Sequence, residues 1–134
     1  MKTIALITIL AHMGSYVPAD DACIPLRDRI LTRFGTSDDM EENASTFAVE
    51  MTETSFILET STPRSLVLID ELGRATSGDE GFGLAWSVSE ELIARRSYCC
   101  FATHFHELNE LANLYSNARC YHLSASAGLM DRFR

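Results

Sequence analysis

Two short apolar runs with a helix-period segment between them dominate the hydrophobic pattern of this chain. Leu66-Val67-Leu68-Ile69 is continuously apolar, bounded by turn-type residues and too short for a helix, which predicts a strand buried on both faces. Tyr98–Ala102 predicts a second strand. Between them Phe82, Ala85, Trp86, Ser89, Leu92 and Ile93 recur at helical spacing, so a helix is expected from about Phe82 to Ala94. Upstream, Phe47, Met51, Thr54/Ser55 and Leu58 share one helical face. Ser45 or Thr46 is the expected cap of that helix, and Ser61-Thr62-Pro63 its end. A short strand is expected at Arg29–Arg33, and Leu108–Leu114 looks helical. Thr3–Met13 is apolar without strict alternation and stops at Gly14, as a buried helix would, and Pro18 biases Val17 toward an extended conformation. Strand–helix–strand alternation predicts an α/β chain with a mainly parallel sheet flanked by helices.

That topology gives the polar residues a place. In an open parallel sheet, ligands sit beyond the carboxyl ends of the strands. Asp70-Glu71 follows one strand and His104 the next. A carboxylate at such a strand end can hold Mg²⁺ against the phosphates of a nucleotide. A second carboxylate can orient and polarise an attacking water. A strand-end imidazole can hydrogen-bond a terminal phosphate. The same residues permit another chemistry. His104 and His106 lie two apart and would face the same way along an extended segment, so with Asp70 they could form a metal-dependent hydrolase site. The acidic stretch Asp38–Glu42 lacks the regular ligand spacing of an EF-hand and reads as a solvated loop.

Composition narrows the classes. At 134 residues the chain fits one domain, and 46% hydrophobic residues argue against wholesale disorder. A net charge of −8 is wrong for a stand-alone nucleic-acid binder, so any grip on DNA falls to other segments. Cys23, Cys99, Cys100 and Cys120 form no CxxC pair and have no zinc spacing, and the adjoining Cys99 and Cys100 are expected to be small buried thiols. Lys2, the apolar stretch to Ala11 and Val17-Pro18-Ala19 resemble a secretory leader, and Asn43-Ala44-Ser45 is a glycosylation sequon. A secreted, non-enzymatic glycoprotein is therefore a third reading. The stretch is too short to span a bilayer.

Four segments in series separate these readings. Ala11–Ala19 followed by Asp28–Arg33, then Ser45–Thr54, then Leu66–Ser77, and finally Phe101–Leu108 resemble, in order and near the right intervals, the ATPase domain of the MutS family of DNA-repair and recombination proteins. The resemblance implies a partial ABC-class P-loop NTPase fold over residues 1–123, with a divergent tail at 124–134. It implies ATP and Mg²⁺ as cofactors. Asp70 would be the Walker B carboxylate on Mg²⁺, Glu71 the water-activating residue and His104 the γ-phosphate contact. Ser45 would reach nucleotide bound by a second MutS-homologue subunit. Arg74, Ala75, Thr76 and Ser77 would lie across the dimer interface. DNA would be held by domains outside this chain, no membrane would be involved, and the site of action would be the nucleus. Asp38–Glu41, Ser45–Met51 and Asp70–Gly73 look closest to the meiotic, crossover-promoting branch of the family.

The departures are specific. The family's phosphate loop, G-x-x-x-x-G-K-S/T, has no counterpart, and Lys2 is the only lysine. Lys2-Thr3-Ile4 resembles the helix that follows that loop, so the chain is expected to begin just past it. Without the loop's amides and lysine, these residues alone are expected neither to bind ATP tightly nor to turn it over. Ala75 stands where the family usually has glycine.

Overall fold

The computed structural model describes residues 1–35, 43–74 and 76–122, without the side chains of 43–45. In chain order the elements are α1 (Lys2–His12), β1 (Ile30–Arg33), α2 (Asn43–Thr60), β2 (Leu66–Asp70), α3 (Gly78–Arg95) and β3 (Tyr98–Ala102). A 3-10 turn, His106–Glu110, then runs into the single-turn α4 (Leu111–Leu114).

The three strands are parallel in the order β1-β2-β3, with Ile30 beside Leu66 and Asp70 beside Ala102. The apolar run is the central strand, as its pattern predicts: Val67, Leu68 and Ile69 are wholly buried. Alternation sorts its side chains. Val67 and Ile69 pack with Ile57 of α2, Val88 and Leu92 of α3, and Leu72. Leu66 and Leu68 face the other way, toward Ala5 of α1, Met1, Ile30 and Cys100. Each fully buried Val, Leu or Ile among them contributes roughly 1.5–3 kcal/mol. Successive crossovers that step one strand over in the same direction put α2 and α3 on one face.

The edge of the sheet at the strands' amino ends is tied by polar groups. The Asp28 carboxylate accepts hydrogen bonds from the Thr62 hydroxyl (2.6 Å) and the Ser65 hydroxyl (3.0 Å), and Arg29 donates to the Thr60 carbonyl (2.7 Å). The Ser97 hydroxyl reaches the Thr62 carbonyl at 2.9 Å. Opposite edges thus divide the work: one is locked by side chains, and the other presents the strand ends.

Several expectations need correction. α1 is a helix, but only Ala5 and Thr8 are buried, while Ile4, Leu6, Ile9 and Met13 are exposed. A three-stranded sheet is about as wide as one helix, and α1 meets it along its small residues. Cys99 is exposed and Cys100 half-buried, because β3 is an edge strand with incomplete cover. α2 runs from Asn43, which places Ser45 and Thr46 inside its first turn. Its buried stripe is centred on Glu50, Thr54 and Ile57, flanked by half-buried Phe47, Met51 and Leu58, with Ser55 exposed. α3 starts at Gly78, four residues before the expected Phe82, because Ser77, Asp79 and Glu80 supply a start signal upstream of the apolar stripe. The helix expected at Leu108–Leu114 is half 3-10. The acidic segment Asp38–Glu42 and the boundary expected near residue 124 lie outside the described residues.

Candidate functional site

β2 and β3 end side by side, and the ladder carries on one step past them: the Glu71 amide donates to the Ala102 carbonyl at 2.9 Å. Asp70, Glu71 and, two residues beyond Ala102, His104 therefore share the carboxyl edge of the sheet. The amino ends of α2 and α3 lie at the same edge, since each follows a strand that ends there. Helix amino ends carry partial positive charge, which favours an anion nearby.

The Asp70 carboxylate is half-buried and has no partner among the described residues. An unpaired carboxylate at this place suits a hydrated Mg²⁺. Glu71 has φ +51°, left-handed backbone that costs a non-glycine residue roughly 1–2 kcal/mol. That strain turns the chain sharply, so the two acids do not simply alternate across the sheet. The Glu71 carboxylate pairs with the Arg74 guanidinium, the arginine largely in solvent and the glutamate partly so. Exposed pairs of this kind contribute about 0–1 kcal/mol, so little holds Glu71 back from another partner.

His104 is exposed, and neither ring nitrogen is hydrogen-bonded among the described residues. Its ring rests on Phe105 (centroids 4.4 Å apart), which packs edge-on against Phe82, itself edge-on to Trp86. The Thr103 hydroxyl accepts the Phe105 amide at 3.0 Å and fixes the segment after β3. An aromatic stack on α3 thus supports the histidine while both nitrogens stay available.

The turn after Glu71 is set by two glycines. Gly73 has φ +85°, and a Cβ there would lie 2.6 Å from the Gly81 carbonyl oxygen. A Cβ on Gly81 would run into the Gly73 carbonyl and come within 3.2 Å of Phe105 Cζ. The turn and the first turn of α3 are in backbone contact that only glycine permits. Beyond it, Arg74 is exposed, Thr76 donates to Glu80 Oε2 at 2.9 Å and Ser77 is the α3 cap residue. The Thr76 and Ser77 hydroxyls hold the Glu80 carboxyl below its usual range. Ala75 and the Ser45 side chain lie outside the described residues.

One feature of the site escaped sequence reasoning. Glu50 is 1% exposed and bonds Arg33 Nη2 at 3.2 Å and the Gly73 amide at 3.2 Å. Arg33 closes β1 and also pairs with Glu53. The available signal was a charge on an apolar stripe: Glu50 sits between Phe47 and Thr54, where a carboxylate needs a buried partner.

The alternative metal-hydrolase arrangement does not form. Among the described residues, no three His, Cys, Asp or Glu side chains come together to hold a metal ion. His104 and His106 do not join Asp70 because the strand ends at Ala102, and His106 instead opens the 3-10 turn. Among the described residues, no helix is long and apolar enough to cross a membrane.

The small three-stranded parallel sheet flanked by helices has the architecture of a partial P-loop-like nucleoside-triphosphatase fold, with Asp70 closing its central strand. The chain belongs to the MutS family: residues 1–131 match MutS domain V. It is 49% identical over 122 residues to the DNA mismatch repair protein MSH4 of Arabidopsis thaliana, covering 91% of this chain and 15% of that protein. It is 52% identical over 120 residues to the DNA mismatch repair protein MutS of Solibacter usitatus, covering 89% of this chain and 14% of that protein. The chain thus spans about one seventh of the length of these relatives. The leader-like stretch Lys2–Ala19 falls inside the family match.

Proposed function

We propose that this chain supplies the water-activating side of an ATP-hydrolysing site in a dimeric MutS-family protein acting on mismatched or branched DNA. The observation that carries the reading is the common edge of Asp70, Glu71 and His104, with Asp70 unpaired and the His104 nitrogens free among the described residues.

Asp70 would hold Mg²⁺, which supplies charge neutralisation at the β- and γ-phosphate oxygens. Glu71 releases Arg74, orients the attacking water and takes its proton. His104, propped on Phe105, donates a hydrogen bond to the γ-phosphate and so registers its presence. Arg74, Ala75, Thr76 and Ser77 form the face toward a second MutS-homologue subunit, and Arg74 exchanges Glu71 for a partner there. Ser45, in the first turn of α2, reaches nucleotide bound by that subunit. Residues 1–123 are the ATPase segment, and 124–134 the tail whose sequence diverges from the family.

The family's phosphate loop is not among these 134 residues. The activity therefore belongs to the full-length protein in which that loop and this segment meet, and DNA is gripped there by other domains. Both relatives are named as DNA mismatch repair proteins, which supports a role in mismatch repair; the resemblance of Ser45–Met51 and Asp70–Gly73 to the family's meiotic branch supports a nuclear role in meiotic recombination. Steady-state ATP hydrolysis by the full-length protein, measured against Mg²⁺ concentration, tests the metal assignment. Asp70→Asn is expected to lower turnover by about 10²–10³, on the scale of removing one electrostatic stabiliser. Turnover and Mg²⁺ dependence equal to wild type would refute it.

A further inference from the structure

We infer that Glu50 is a positioning residue that holds the Glu71 turn in its working geometry and ties that turn to α2. The inference rests on the ATPase reading for its catalytic consequence, but its structural half stands apart from it.

The turn does not hold itself. Its internal hydrogen bonds, Arg74 amide to Glu71 carbonyl and Thr76 amide to Gly73 carbonyl, are long at 3.4 and 3.5 Å. Two left-handed residues, Glu71 and Gly73, stand on either side of a wholly buried Leu72. Among the described residues, the turn is pinned from outside at three places. The Glu71 amide is held by Ala102 of β3, the Leu72 side chain sits in the core, and the Gly73 amide is held by Glu50 of α2. Of the three, only the last is a hydrogen bond from a side chain, and it reaches the residue whose backbone abuts Gly81.

Stability alone does not account for Glu50. Glu50 Oε2 is buried without a hydrogen bond, and Arg33 Nε, also buried without one, has only the charge of Glu53 Oε2 at 3.1 Å. An imperfectly satisfied buried ion pair is commonly matched or bettered by apolar residues of similar volume. What apolar residues cannot supply is an acceptor for the Gly73 amide. Glu50 also lies on the helix whose first turn carries Ser45, so a shift of α2 is passed to the turn that bears Glu71.

The test uses the full-length protein in three forms. The double substitution Arg33→Met with Glu50→Leu removes both charges and the acceptor while keeping the volume apolar. Glu50→Gln keeps an acceptor oxygen for Gly73. Amide hydrogen exchange at Gly73, thermal unfolding, and kcat and KM for ATP are measured for each. The double variant is expected to unfold near the wild-type temperature, to exchange the Gly73 amide much faster, and to lose kcat by roughly tenfold to a hundredfold with KM unchanged, as a misplaced catalytic group would. Glu50→Gln is expected to restore most of the Gly73 protection and of kcat. Unchanged Gly73 exchange in the double variant overturns the inference, as does fast Gly73 exchange with kcat intact. If the wild-type protein hydrolyses no ATP, the ATPase reading fails while the exchange measurement still decides whether Glu50 holds the turn.

Discussion

Gly81 and Gly83 lie two residues apart in α3, and the same substitution at each should act with opposite sign. Replacing glycine by alanine inside a helix ordinarily stabilises by roughly 0.5–1 kcal/mol. At Gly83 nothing lies within 4 Å of the added Cβ, so the full gain is expected. At Gly81 the Cβ meets the Gly73 carbonyl and approaches Phe105 Cζ. The obstacle is backbone, which cannot swing aside by changing rotamer, and Gly73 is itself held by Glu50. Overpacking of this kind costs typically 1–3 kcal/mol. Setting the helix gain against it leaves Gly81→Ala destabilised by about 0–2.5 kcal/mol, centred on roughly 1 kcal/mol. At roughly 4 °C per kcal/mol for a domain of this size, Gly83→Ala should melt a few degrees above wild type and Gly81→Ala a few degrees below. Thermal unfolding followed by circular dichroism reads both. Should Gly81→Ala melt at or above Gly83→Ala, the close contact between the turn and α3 is refuted, and the placement of Glu71 with it.

Two further expectations concern the frame. Arg96 ends α3 in left-handed backbone at φ +58°, its amide on the Ile93 carbonyl, so Arg96→Gly should stabilise by about 1 kcal/mol and raise the melting temperature; a drop would contradict the cap geometry. The Thr62 hydroxyl above all, helped by Ser65, holds the Asp28 carboxyl below its ordinary value of 3.8, so this group adds stability above that pH and loses it as pH falls through the lower folded value. Asp28→Asn should therefore flatten the acid limb of the stability curve below about pH 4, and an unchanged limb would show that Asp28 is not coupled to folding.

Much of this was legible in the chain because local signals and tertiary structure agree. Leu66–Ile69 is apolar at every position, and only a central strand covered on both faces satisfies that pattern. Tyr98–Ala102 kept its expected bounds for a similar reason, although its exposure could not be read: burial depends on how many strands lie alongside, and β3 is at an edge. The same cause misled the reading of α1, whose apolar residues look like core but meet a sheet too narrow to cover them. Asp70, Glu71 and His104 could be placed at one edge of the sheet because strand ends are marked in sequence. Glu50 and the Gly73–Gly81 contact were not, because they join residues far apart in the chain through a hydrogen bond and a backbone approach that leave no periodic trace.

The central claim is that the carboxyl edge of this sheet activates water through Glu71. Single-turnover hydrolysis of ATP by the full-length protein, with nucleotide affinity measured separately, tests it most directly in the Glu71→Gln variant. The amide keeps the size of the side chain but cannot take a proton. The account predicts unchanged ATP affinity with the hydrolysis rate reduced by about 10²–10⁴, the scale of losing a general base. Hydrolysis at the wild-type rate would contradict it.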